Sequence, residues 1–148
     1  MRMATKIVVI LSTCLLLNGC KKDPEPISNT PLITFVAISP TSVKQFKDQI
    51  TITISYKDGD GDIGENNTDK KNLFVTDSRN AVAYQYRIQQ LAPSGSTIAI
   101  EGNLKVVIPN TALTDNSSSQ SVTYTIYLVD RAGHQSNSVS STAVTVTN

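Results

Sequence analysis

From Tyr56 the chain reads Tyr-Lys-Asp-Gly-Asp-Gly-Asp-Ile-Gly-Glu, and Asp58, Asp60, Asp62, Glu65 and Asp69 fall within twelve residues that include no Lys or Arg. Calcium takes six to eight oxygen ligands at roughly 2.3 to 2.6 Å, and carboxylates at alternate positions can fold around it when the intervening residues are glycines that tolerate positive φ. The expectation is a Ca²⁺ site built on Asp58, Asp60 and Asp62. The competing reading is a solvated turn made of good turn formers.

Little else in the chain has the chemistry for catalysis. His134 is the sole histidine, and no Gly-x-Ser-x-Gly, His-Glu-x-x-His or phosphate loop occurs. Asp130, His134 and Ser136 contain the residue types of a hydrolytic triad but lie within seven residues of one turn. A triad draws its members from elements that the fold brings together. Asp60 and Asp62 fail as a glycosidase pair for a similar reason, since such acids face each other across a cleft. A non-enzymatic role is expected.

The acidic stretch also departs from an EF-hand. Asp58, Asp60, Asp62 and Asp69 hold its first, third, fifth and twelfth places, but Ile63 stands where that loop needs glycine, and no flanking helices are foreseen. Asp-Gly-Asp-Gly-Asp is closer to stretches common in secreted, calcium-stabilised modules, which it resembles.

The first thirty residues suggest an address. Arg2 and Lys6 precede an apolar run of about eleven residues, Ile7 to Leu17, the layout of a secretory signal. At ~1.5 Å rise per residue such a run covers about half of a ~30 Å hydrocarbon core, too little for a permanent span. It ends Leu17-Asn18-Gly19-Cys20, which resembles the bacterial lipobox. The resemblance implies a signal peptide at 1–19, cleavage after Gly19, and covalent diacylglycerol and acyl lipid on Cys20. Cys14 falls inside the signal, so Cys20 would be the one thiol of the mature chain and no disulfide is expected. Residues 20–31 carry three prolines and read as an extended tether. Lys21 follows the lipid cysteine instead of Asp, which by resemblance to lipoprotein sorting favours the outer membrane, with the charged run after it resembling tethers of surface-displayed lipoproteins.

Cleavage after Gly19 would leave 129 of the 148 residues, with 11 basic and 12 acidic side chains. That suits one domain with one core. It offers no basic patch for nucleic acid. From Leu32 onward, β-branched and aromatic runs recur between turn signals without helical periodicity. The expected strands are 32–38, 50–56, 72–76, 82–88, 97–100, 104–108, 122–129 and 140–147, with Glu101-Gly102-Asn103 as a turn. Ile50, Ile52, Ile54 and Tyr56 alternate with Thr51, Thr53 and Ser55, the pattern of a half-buried antiparallel strand.

Seven to eight such strands over 32–148 predict an all-β, antiparallel sandwich. The stretch from Val122 to Ser136, with Asp130-Arg-Ala-Gly-His-Gln-Ser at its end, resembles the penultimate strand and following turn of fibronectin-III and bacterial immunoglobulin-like domains. That resemblance implies a single Ig-like domain, a strand-entry tyrosine at Tyr124 (against its plain reading as a core aromatic), and a shared pole that brings Asp130 towards Asp58, Asp60 and Asp62. The expected function is an accessory module on a lipid anchor in the bilayer, meeting an unidentified protein partner. A glycan-binding lipoprotein is the alternative, with Tyr84, Tyr86 and Tyr127 as a stacking platform. Trp, the usual sugar-stacking residue, is absent.

Overall fold

The computed structural model describes residues 26–148. The expected signal at 1–19, Cys20 and the first half of the tether lie outside the described residues. The rest is an all-β sandwich. One layer has the order β1 (Leu32–Ser39), β3 (Ile50–Asp58), β6 (Ile100–Ile108); the other has β5 (Ala83–Tyr86), β4 (Leu73–Asp77), β8 (Tyr124–Leu128), β9 (Val139–Ser140). A third sheet, β2 (Ser42–Lys44), β10 (Val144–Thr147), β7 (Ser119–Val122), extends the second beyond breaks at Thr123 and at 141–143. All pairings are antiparallel except that of β2 with β10.

Alternation decides which side chains meet between the layers. Ile50, Ile52 and Ile54 of β3 are fully buried, as are Val75 of β4 and Tyr124, Ile126 and Leu128 of β8, and all belong to one apolar cluster. The same two-residue period carries past the apolar run on each strand. It turns Asp58 inward after Tyr56, Asp77 inward after Val75, and Asp130 inward after Leu128, and all three are buried. Tyr56 itself is only half-buried, because its ring lies across Gly102, its cross-strand partner on β6.

That contact explains one difference from expectation. Residues 101–103 are not a turn but the interior of β6, which runs unbroken opposite the whole of β3. A glycine in a strand lacks a side chain to pack, and a neighbouring aromatic ring supplies the missing cover. The long strands expected at 122–129 and 140–147 are each divided. At the division the Ser141 hydroxyl accepts a hydrogen bond from the Tyr124 amide at 2.9 Å, replacing a ladder partner. The three-residue β2 has no counterpart among the expected strands, being too short for a periodic signal. The expected strand at 82–88 shrinks to four residues because Ile88 is captured by a side chain: its amide donates to Asn72 Oδ1 at 2.7 Å.

Candidate metal centre

Asp58 closes β3 and Asp130 lies two residues beyond β8, so strands of opposite layers deliver one carboxylate each to the same pole. The loop after β3 adds the third. One carboxylate oxygen from each of Asp58, Asp62 and Asp130 lies within 4.8 Å of the others. Oxygens on opposite sides of a calcium ion stand about 4.6 to 5.2 Å apart at ordinary bond lengths. The three acids are therefore spaced as ligands of one ion would be.

The loop holds this arrangement through its backbone. The Asp62 amide donates to Asp58 Oδ2 at 2.9 Å, and the Ala132 amide donates to Asp62 Oδ2 at 3.0 Å, linking the two acid-bearing loops. Arg131 N–H adds a bond to the Asp62 carbonyl at 3.2 Å. Ile63, fully buried, plugs the loop into the core at the place where an EF-hand would turn on glycine. Gly61 adopts φ 75°, and a Cβ there would come within 2.4 Å of the Ile98 carbonyl oxygen, so the loop is wedged against its neighbour. A solvated turn has no such walls.

What the backbone leaves over is acceptor capacity. Oδ1 of Asp58, of Asp60 and of Asp62 is buried with no hydrogen-bond partner among the described residues. Asp58 as a whole is fully buried. A buried polar atom without a partner costs on the order of 1 to 3 kcal/mol, more when charged. No lysine or arginine among the described residues forms an ion pair with Asp58, Asp60 or Asp62. Arg131, whose charge bears on Asp62, donates to the Gly64 carbonyl at 3.0 Å instead. Burial is the main cause that pushes the Asp58 carboxyl above its ordinary range. The Asp62 amide opposes the rise, while the charges of Asp60, Asp62 and Asp130 add to it. Asp62 is raised as well, by burial first and then by Asp130.

Asp130 is better provided for. Its Oδ1 accepts the His134 amide at 2.7 Å and its Oδ2 meets His134 Nδ1 at 2.9 Å, with the imidazole half exposed. Ser136 is turned away from this pair: its hydroxyl accepts the Leu128 amide and donates to the Asn137 carbonyl. The Asp130, His134 and Ser136 side chains thus form no relay. Asp60 contributes an unpartnered oxygen but stands outside the closest trio. Glu65 and Asp69 are not part of it either. Glu65 Oε1 accepts the Asn67 amide at 3.0 Å, and Asp69 is exposed.

The tyrosines do not assemble into a platform. Tyr84 and Tyr86 pair across β4 with the buried Val75 and Leu73 and pack against the core, and the Tyr86 hydroxyl donates to the Val107 carbonyl at 2.9 Å. Tyr127 is on the other face of its sheet, stacked on Phe74 with ring centroids 4.8 Å apart. Tyr124 is a core aromatic whose buried hydroxyl has no hydrogen-bond partner among the described residues, so the corner bond implied by resemblance is not formed. Burial pushes this phenol up to about 12.

Sequence reasoning missed the buried ion pair of Asp77 and Arg79 at the other pole. The extension of each strand's two-residue period onto Asp58, Asp77 and Asp130 was the available signal. Compared with known proteins, the chain matches no family model, no curated sequence and no solved structure.

Proposed function

We propose that this chain is an exported, non-catalytic lipoprotein, anchored in a bilayer through lipid on Cys20, whose Ig-like sandwich takes up one Ca²⁺ ion and serves as an interaction module. The observation that carries the calcium reading is the set of buried, unpartnered carboxylate oxygens on Asp58, Asp60 and Asp62, delivered beside Asp130. All-oxygen, all-carboxylate donors suit a hard cation, and Ca²⁺ accepts an irregular protein cage more readily than Mg²⁺, which keeps its waters. The ion would replace repulsion by attraction and tie the loops that follow β3 and β8.

A protein partner is favoured over a glycan. Both β5 and β6 are edge strands among the described residues, and the nine-residue β6 presents a long edge on which no strand pairs, with the Tyr86 hydroxyl on its Val107 carbonyl. Between them runs an apolar groove of about 400 Å³ lined by Leu73, Tyr86, Leu91, Leu104, Val106 and Val107. Unpaired edges with side-chain pockets accept extended peptides. The dispersed tyrosines offer nothing comparable to a sugar.

Melting curves of the signal-free protein in millimolar calcium and in EDTA test the site. A ligand at 100 times its Kd stabilises the native state by ~2.7 kcal/mol, on the order of 10 °C for a domain of this size. Coincident midpoints would remove calcium from the proposal. The anchor is tested separately by Cys20→Ser, which should abolish lipid labelling and leave the precursor uncleaved. A labelled variant would refute the lipobox reading.

A further inference from the structure

The last residues of the tether lie on the acidic loop. Beyond the end of the β1–β3 ladder, where Leu32 lies opposite Lys57, the Gly59 amide donates to the Ser28 carbonyl at 2.8 Å. Gly59 stands between Asp58 and Asp60. A Cβ on it would come within 2.3 Å of the Ile27 carbonyl oxygen and 2.8 Å of Asn29 Oδ1, so the tether occupies the space that a side chain would need. The loop after β8 holds the beginning of β1, the strand that follows the tether. Asn137 brackets Ile33, accepting its amide at 2.8 Å and donating to its carbonyl at 2.9 Å. Both loops that carry the acids therefore also grip the start of the domain.

We propose that calcium at Asp58, Asp62 and Asp130 docks the tether, so that the ion sets how far the anchored domain stands from its membrane. The inference rests on the calcium reading. Without the ion, repulsion among buried carboxylates loosens the loop from Asp58 to Asp62, and the Gly59 amide is no longer held under Ser28. With it, the loop is fixed and residues 26–31 lie along the body. An extended chain spans at most ~3.6 Å per residue. Residues 26–31, which would span at most about 22 Å if extended, then add little to the distance between anchor and domain. The coupling is reciprocal: what calcium adds to docking, docking adds to calcium affinity.

Gly59→Ala separates the two. Gly59 does not adopt a positive φ, so alanine strains no backbone, and beyond its chain neighbours the atoms nearest the added methyl belong to Ile27, Ser28 and Asn29 of the tether. The experiment uses the mature chain with Cys20→Ser. It follows backbone ¹⁵N relaxation of Ile27, Ser28 and Asn29 with calcium alone as titrant, and measures calcium affinity by calorimetry. In the Gly59-containing chain, calcium should convert these residues from fast local motion to the rigidity of the sandwich. Gly59→Ala should leave them mobile at saturating calcium and weaken calcium binding by roughly fivefold or more, the ordinary scale of such coupling. Calcium binding with unchanged tether relaxation would overturn the docking inference alone. Tether residues that are equally rigid in EDTA would overturn it too. Absence of any calcium binding would instead overturn the site reading on which it rests.

Discussion

The two poles of the sandwich solve the same problem differently. At one, the inward period of β4 buries Asp77, and Arg79 two residues later supplies the cation. Its Nη2 lies 2.7 Å from Asp77 Oδ2, its Nε donates to Oδ1 at 3.1 Å, and its remaining donors reach the Ala112 carbonyl, Thr111 Oγ1 and Gln120 Oε1. Asp77 raises the Arg79 pKa, chiefly through that hydrogen bond. At the other pole the inward periods of β3 and β8 bury Asp58 and Asp130, and the surrounding backbone satisfies only part of their acceptor capacity. One pole carries its cation in the chain; at the other, buried oxygens of Asp58, Asp60 and Asp62 have no hydrogen-bond partner among the described residues. The difference lies in the partner: Asp77 is buried with an arginine two residues away, whereas Asp58 is buried with no lysine or arginine paired to it among the described residues.

The strongest way to test that contrast is to make the first pole resemble the second. Arg79→Met keeps most of the aliphatic volume but strands Asp77, which is only 1% exposed, without a cation. Breaking a buried pair from one side costs roughly 3 to 5 kcal/mol. Urea denaturation should show a loss of that order, independent of calcium, and adding Asp77→Asn should restore much of it. A loss under about 1 kcal/mol would mean that burial at this pole is less severe than the geometry implies.

How much of this could be read from residues alone follows from the same periodicity. The β3 isoleucines were legible because strict alternation over seven residues puts every apolar side chain on one face of a strand and scatters them around a helix. The acid-rich loop was legible because its spacing is local. Asp130 is placed there only by resemblance, since nothing in the 71 residues between Asp58 and Asp130 says that β8 ends beside β3. Arg79 was illegible because it lies in the turn after β4, where an arginine ordinarily points to water. The Gly59 contact with the tether is hidden because a polar, proline-containing spacer carries no pattern that distinguishes a docked segment from a free one. Gly102 misled for the opposite reason: glycine between polar residues is a turn signal unless an aromatic across the sheet covers it.

A smaller effect should come from the acidic pole. Asp58→Asn removes a buried charge that has no ion partner among the described residues while keeping a side-chain oxygen to accept the Asp62 amide. In EDTA the variant should melt at or above the wild-type midpoint. In millimolar calcium the order should invert, because wild type gains the ~2.7 kcal/mol expected at 100 times its Kd and the variant gains less. Thermal scans under the two conditions check both halves. A loss in EDTA as large as that of Arg79→Met would abolish the distinction between the poles.

The smallest effect is a change of sign with pH. Burial raises the carboxyls of Asp58 and Asp62 above the ordinary Asp value. In EDTA the native state thus keeps protons there over a range in which the unfolded chain has released them. Folding then takes up protons, and this contribution to stability is present at low pH and lost as pH rises through the raised values. A bound calcium ion holds the same carboxylates ionised and competes with protons, so its stabilisation grows as pH rises through that range. Exposed acids complicate either curve alone: Glu65 and Asp115 are lowered mainly by hydrogen bonds, to the Asn67 amide and to Ser117 respectively, and their contribution is lost as pH falls. Arg131 and His134 also face the site. Subtracting the EDTA curve from the calcium curve removes contributions common to both. The difference should rise with pH above the ordinary Asp range, with a slope of at most about 1.4 kcal/mol per pH unit for each whole proton. Paired Asp58→Asn and Asp62→Asn substitutions should flatten it, and a wild-type difference that is flat from the start would show that these carboxyls do not exchange protons for the ion.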